Sequence, residues 1–263
     1  MEKVSRGSTA INHFITFGAR SILLYTGPCP LLSIRTHFYM FDGMKKLLLA
    51  VLLISFSASA REMLVVGDSL TCGSFGRQLM KNLTSQGYNV TLYCAVSSAP
   101  THWLDGKNPT GFLCKTMTSE NQTLANCNPD GLVPKLETLL EQYPAPTVVV
   151  ALGTNTLISG HADATYRRLA QIIFSNHRNC IWIGPPQMNE AESKGYPAGR
   201  MNQLNVNLAT FYPSLIQATQ NICRVIDSRP ATAPNTPGIH TIDGIHRTTS
   251  AGIYWADAIK SQF

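Results

Sequence analysis

No two of the seven cysteines stand three apart. A chain without a Cys-x-x-Cys pair lacks the spacing on which most structural zinc sites are built. Nor does any run of lysine and arginine prepare a surface for nucleic acid. The formal net charge of +6 arises mostly in residues 1–60, with six basic and two acidic residues, whereas 15 basic residues face 13 acids in 61–263. The apolar stretch 47–56 is too short to span a bilayer. There is no internal repeat and no low-complexity tract, so solenoids and disordered linkers are excluded.

What the apolar stretch does have is the right company for export. Met44-Lys45-Lys46 precedes it and Ala58-Ser59-Ala60 follows, which gives a basic start, a short apolar core and a small-x-small cleavage site. Residues 44–60 therefore read as a signal peptide. Residues 1–43 read as an upstream segment from a mis-assigned start, with translation beginning at Met44. The remaining 61–263 suffice for one domain with a full core.

Five apolar runs recur in that domain, at 63–66, 90–96, 147–152, 180–184 and 222–227. Runs of β-branched residues without alternation suit strands buried on both faces. Helical patterns lie between them at 75–83, 132–143, 166–174 and 201–219, with a last one at 253–259. Strand–helix alternation and right-handed crossovers predict an α/β, flavodoxin-like three-layer sandwich. Its expected core is a five-stranded parallel sheet of order 2-1-3-4-5 with helices on both faces. The stretch 100–131, rich in Asn, Thr and Pro, reads as a long functional loop.

Six cysteines lie beyond residue 60, an even number behind an export signal, and they read as disulfides. Fifteen pairings are open to them. Cys72 and Cys94 flank one rim of the sheet, Cys114 and Cys127 would staple the long loop, and Cys180 and Cys223 begin neighbouring strands. Those three pairs are the expected connectivity.

Ligands in such sheets sit beyond the carboxyl ends of the strands. There the first strand stops abruptly in Val65-Val66-Gly67-Asp68-Ser69-Leu70-Thr71-Cys72-Gly73. Asp68 or Ser69 can cap the helix that follows. Ser69 can also be a nucleophile, provided an imidazole takes its proton and an acid orients that imidazole. Asp243-Gly244-Ile245-His246 supplies both three residues apart, and Thr248, Thr249 or Ser250 can cap the last helix. Gly153-Thr154-Asn155, after the third strand, offers either an ordinary cap or a side-chain amide for an oxyanion. His240 reads as structural or substrate-facing. The spacing His240-x₂-Asp243-x₂-His246 leaves a metal cluster as an alternative.

Taken in order, Gly67-Asp68-Ser69-Leu70-Thr71, Gly153-Thr154-Asn155 and Asp243-Gly244-Ile245-His246 resemble the motifs of the SGNH/GDSL hydrolases. The resemblance spans nearly all of residues 62–263, and the GxSxG elbow of α/β-hydrolases is absent. It implies a Ser69–His246–Asp243 triad and an acyl-serine intermediate, with no metal and no cofactor. It also implies an oxyanion hole that includes the Ser69 amide and Asn155. Ser98 stands where the family's second block usually carries a glycine whose amide completes that hole. Thr156 stands where the third block often has aspartate.

The fold alone does not choose the ester. The export signal favours an envelope or secreted location and substrate, and no apolar lid of the lipase kind is evident. A carbohydrate O-acetylesterase acting on cell-wall glycan is the expectation, with Trp103 as a stacking platform and Asp68, Gly153 and His240 as further substrate contacts. A short-chain lipid esterase or thioesterase, or a carbohydrate-binding protein without catalysis, are the alternatives. Neither nucleic acid nor stable membrane insertion after cleavage is expected.

Overall fold

The structure is a computed structural model that describes residues 15–17, 20–22, 61–109, 112–159 and 164–263. The chain divides into two units, Met1–Ser57 and Ala58–Phe263. In the first, Ile15–Phe17 and Arg20–Ile22 pair antiparallel. The expected signal peptide at 44–60 lies outside the described residues, as does almost all of the upstream segment 1–43.

The second unit is built on β1 (Arg61–Gly67), β2 (Tyr88–Ala95), β3 (Cys114–Thr118), β4 (Ala125–Asn126), β5 (Thr147–Ala151), β6 (Asn179–Ile183) and β7 (Cys223–Ile226). They form one mixed sheet in the order β4-β3-β2-β1-β5-β6-β7. Within it, β2-β1-β5-β6-β7 are mutually parallel, so the expected 2-1-3-4-5 arrangement is its centre. The expected five-stranded parallel sheet needs correction. β3 runs antiparallel to β2, and β4 antiparallel to β3, so the sheet has seven strands and is mixed. Both added strands come from the stretch read as a loop. Cys114 and Met117 are buried while Lys115 and Thr116 are half-exposed, and so short a run gives little periodicity to read.

β1 shows why the centre was legible. Leu64 and Val66 pack on one face with Trp103, Leu136, Tyr166 and Trp182. Met63 and Val65 pack on the other with Phe75, Leu79, Leu83 and Trp255. All four β1 side chains are out of water, as a strand sandwiched between helical layers requires. The flanking helices are α1 (Ser69–Cys72), α2 (Ser74–Ser85), α3 (Pro100–Asp105), α4 (Leu136–Gln142), α5 (Thr154–Ser159), α6 (Ala164–Ser175), α7 (Arg200–Ala218) and α8 (Thr249–Ala258). α2 and α8 meet through stacked Phe75 and Trp255 rings, 3.6 Å between centroids. Thr248 caps α8. α4 begins four residues later than its leucine spacing predicts. Pro134 disfavours helix at the residue before it, Lys135 is extended, and Leu132 remains exposed.

All three disulfides form as expected: Cys72–Cys94, Cys114–Cys127 and Cys180–Cys223. The last joins the first residues of the paired strand segments Cys180↔Cys223 and closes a sequence separation of 43. Replacing both of these cysteines by alanine is expected to destabilise the domain by about 3 kcal/mol, chiefly by freeing the unfolded chain. A urea unfolding curve with unchanged midpoint would contradict this.

Candidate active site

β1 ends at Gly67, where a side chain has no room: an added Cβ would lie 2.1 Å from Thr71 Oγ1. The tight approach lets the chain turn at once into α1. Asp68 is the N-cap, its Oδ1 accepting the Leu70 N–H at 3.0 Å. Ser69 is therefore the first residue of the helix, and its own N–H has no acceptor within that helix. Burial pushes the Asp68 carboxyl up to about 7, against the opposing pull of the Leu70 N–H, the His246 ring and the Thr154 hydroxyl.

The other side of the site is a tight turn before α8. Thr241 bridges Arg247, and the Ile242 N–H donates to His246 O at 2.7 Å. Gly244 takes φ +93° at the tip, a conformation strained for any other residue. Asp243 Oδ1 accepts the Ile245 and His246 N–H groups at 3.0 and 2.8 Å, and its Oδ2 lies 2.8 Å from His246 Nδ1. His246 Nε2 in turn lies 3.0 Å from Ser69 Oγ. A carboxylate only accepts, so Nδ1 carries the proton and Nε2 presents its lone pair to the serine. Burial alone would raise the Asp243 carboxyl; the His246 ring and the two amides hold it below the usual range. The structure thus brings Ser69, His246 and Asp243 into one hydrogen-bonded chain.

Asn155, in the first turn of α5 beyond the carboxyl end of β5, donates from Nδ2 to Ser98 O at 3.0 Å. Ser98 departs from expectation. Its N–H donates to Ala95 O at 3.1 Å, and its Oγ bridges Gly67 O and Trp103 Nε1, both at 3.2 Å. The left-handed residue of this turn is Ser97, φ +62°, and Ser98 braces β1 instead of offering an amide to the site. The next amide, of Ala99, donates to His102 Nδ1 at 2.8 Å.

Four expected substrate contacts are also corrected. Trp103 is wholly buried, so no sugar can stack on it. Asp68 is buried beneath the serine as a cap. Gly153 is buried in the β5–α5 turn at φ +141°, where an added Cβ would press on Phe211 and Pro185 at 2.9 Å. His240 is exposed, and its Nδ1 lies 2.7 Å from Glu192 Oε1 instead of facing Ser69. Among the described residues no three of His, Cys, Asp or Glu are grouped to hold a metal, so the His240-Asp243-His246 spacing does not become a cluster.

Two hollows open at the rim. One of about 260 Å³ is lined by Ser69, Gly73, Ser74, Phe75, Ile242 and His246. The other, about 430 Å³, is lined by Ser97, Thr101, Asn155, Thr156 and Thr165 together with Ala99, Pro100 and the His102 imidazole, without a carboxylate, Lys or Arg. A larger hollow of about 720 Å³, around Thr147, Asn179 and Asn221, belongs to the opposite edge of the strands and is remote from the serine. Glu192 and Arg247 escaped the sequence reading. Arg247 is buried beside His246, donating to Gln187 O and Thr232 O, and burial lowers its guanidinium to about 10. Its position directly after His246 was the only available signal.

Two solved structures share this architecture. An SGNH hydrolase candidate from Slackia heliotrinireducens matches with a TM-score of 0.52 and 13% identity, over 77% of this chain and 98% of that one. The fold is that of the SGNH hydrolases. An acylhydrolase candidate from Bacteroides fragilis reaches a TM-score of 0.50 at 14% identity, over 78% and 88% of the two chains. By sequence, Protein BcsX of Komagataeibacter xylinus is 24% identical over 206 residues, 75% of this chain and 74% of that protein. No known family's sequence profile matches. In this chain Ser69 follows the central strand β1 and His246 lies just before α8.

Proposed function

We propose that the chain is an exported serine esterase that removes acyl groups, acetyl foremost, from a carbohydrate. The reading rests on one observation, the continuous chain Ser69 Oγ–His246–Asp243 with links of 3.0 and 2.8 Å. His246 Nε2 takes the Ser69 proton as Oγ attacks the ester carbonyl. The tetrahedral oxyanion meets the Ser69 N–H and the Asn155 amide. His246 then returns the proton to the departing alkoxide, leaving acyl-Ser69, and activates a water for the second half-reaction. Asp243 holds the ring in the tautomer both halves need.

The hollow beside Asn155 combines the hydroxyl residues Ser97, Thr101, Thr156 and Thr165 with Ala99 and Pro100, which supports a substrate with hydroxyls to pair and a short acyl group to enclose. The test compares acetylated glycans with p-nitrophenyl esters of increasing length. Release of acetate from glycan is expected; turnover of long acyl chains alone would overturn the carbohydrate reading. One observation favours the alternative of a binder without catalysis: the Ser98 and Ala99 amides are both committed inside the protein. Fluorophosphonate labelling separates the two, since a binder stays unlabelled.

Export is supported by three disulfides. Among the described residues no helix is long and apolar enough to cross a membrane. We place the signal peptide at 44–60 and the true start at Met44. Amino-terminal sequencing of exported protein should begin near residue 61; finding 1–43 attached would refute this.

A further inference from the structure

Glu192 closes a short 3₁₀ turn, Glu190–Glu192, that lies against the Asp243–His246 turn. Its side chain is about one-quarter exposed and gathers four donors. Oε2 accepts the Thr241 N–H, the Thr241 hydroxyl at 2.8 Å and Asn189 Nδ2 at 2.8 Å, while Oε1 lies 2.7 Å from His240 Nδ1. The Thr241 hydroxyl, having donated to Glu192, accepts the Gly244 N–H at 3.0 Å. The carboxylate therefore acts through one side chain on the residue between Asp243 and Ile245. Backbone bonds run the same way: the Asn189 N–H donates to Gly244 O at 2.8 Å and the Lys194 N–H to Asp243 O at 3.3 Å. The other acid of this turn faces away. Glu190 accepts the N–H groups of Gly199, Met201 and Asn202 at the start of α7, at 2.6, 2.8 and 3.1 Å. Segment 189–194 is thus fixed to α7 by one glutamate and holds the acid–base turn by the other.

We infer that Glu192 is a positioning residue for the Asp243–His246 pair, acting through the Thr241 hydroxyl. The inference rests on the esterase reading above. Glu192 touches neither Ser69 nor the rim hollow that contains it, so its effect passes wholly through geometry. Small displacements of a base from its nucleophile are costly, about a hundredfold for an ångström. The four donors outweigh the cost of partial burial and hold the Glu192 carboxyl at about 2, so at neutral pH it remains an ionised acceptor for them.

The experiment measures p-nitrophenyl acetate hydrolysis by the full chain carrying Glu192→Ala, Glu192→Gln or Thr241→Val. Each variant is also combined with Asp243→Asn. Glu192→Ala is expected to lower kcat about 30-fold with KM within about twofold. Glu192→Gln should recover part of the loss, because its carbonyl still accepts from Thr241. Thr241→Val, which keeps Glu192 but removes the relay, should fall between. In the Asp243→Asn background the Glu192→Ala loss should shrink to about twofold, since both act on one element. Multiplying losses, or a folded Glu192→Ala protein with wild-type kcat, would overturn the inference. A second readout is independent of turnover: a downfield NMR signal of the His246 Nδ1 proton, held 2.8 Å from Asp243 Oδ2, is expected in the wild type and expected to vanish in Glu192→Ala. If wild-type protein fails to react with ester or fluorophosphonate, the esterase reading has failed. The resonance still decides the positioning, and its survival in Glu192→Ala refutes it.

Discussion

Ser69→Ala is expected to lower kcat/KM on simple acetate esters on the order of 10³-fold or more and to abolish fluorophosphonate labelling. His246→Ala should match it, because a serine hydroxyl 3.0 Å from no base is a poor nucleophile at neutral pH. The two losses should not add. The residues act as one unit, so the double variant is expected to be about as slow as either single one. Asp243→Asn should cost a comparable amount, since the Ile245 and His246 amides keep the side-chain oxygen where it is and turn the Asn NH2 toward His246 Nδ1, which favours the tautomer with Nε2 protonated and unable to act as a base. Peptide mass analysis of the labelled wild type should place the adduct on Ser69. An adduct elsewhere, or His246→Ala turning over normally, would remove the basis of the proposed mechanism.

Asp68 should make the stability of the protein depend on pH in an unusual direction. Its carboxyl stands at about 7 in the folded protein, against 3.8 for a free aspartate, because burial penalises the charged form. Between those values the folded chain keeps a proton that the unfolded chain has released. Its contribution is therefore most favourable below about pH 4 and is lost as pH rises to about 7. The size is about 4 kcal/mol across that window. Asp68→Asn keeps an oxygen for the Leu70 N–H but cannot ionise. It is expected to match the wild type near pH 4 and to exceed it by about 4 kcal/mol at pH 8. Urea titrations of both proteins at the two pH values test this, and parallel pH dependences would refute it.

Which features could be read in advance follows from where their causes lie. The valines of β5 and the unbroken apolar end of β1 carry the parallel centre because burial on both faces leaves no choice of residue. The convergence of Ser69, Asp243 and His246 was legible because the proposed roles demand those atoms at strand ends or turns. β3 and β4 were not, since their short, polar, half-exposed segments match a loop in composition. Trp103 was read as a sugar platform, yet its indole N–H satisfies Ser98 in the core, a long-range pairing that local sequence does not announce. Which amide faces the rim depends on the backbone of Ser97, and composition does not encode that dihedral. Glu192 sits in an aperiodic connection, and only the folded chain shows what its carboxylate holds.

The proposed nucleophile and its proposed base are separated by 177 positions in the chain. A polypeptide halted anywhere before His246 holds an alcohol with nothing to deprotonate it. On the proposed mechanism, hydrolytic competence therefore requires synthesis past His246, and a shorter translation fragment is expected to leave esters intact.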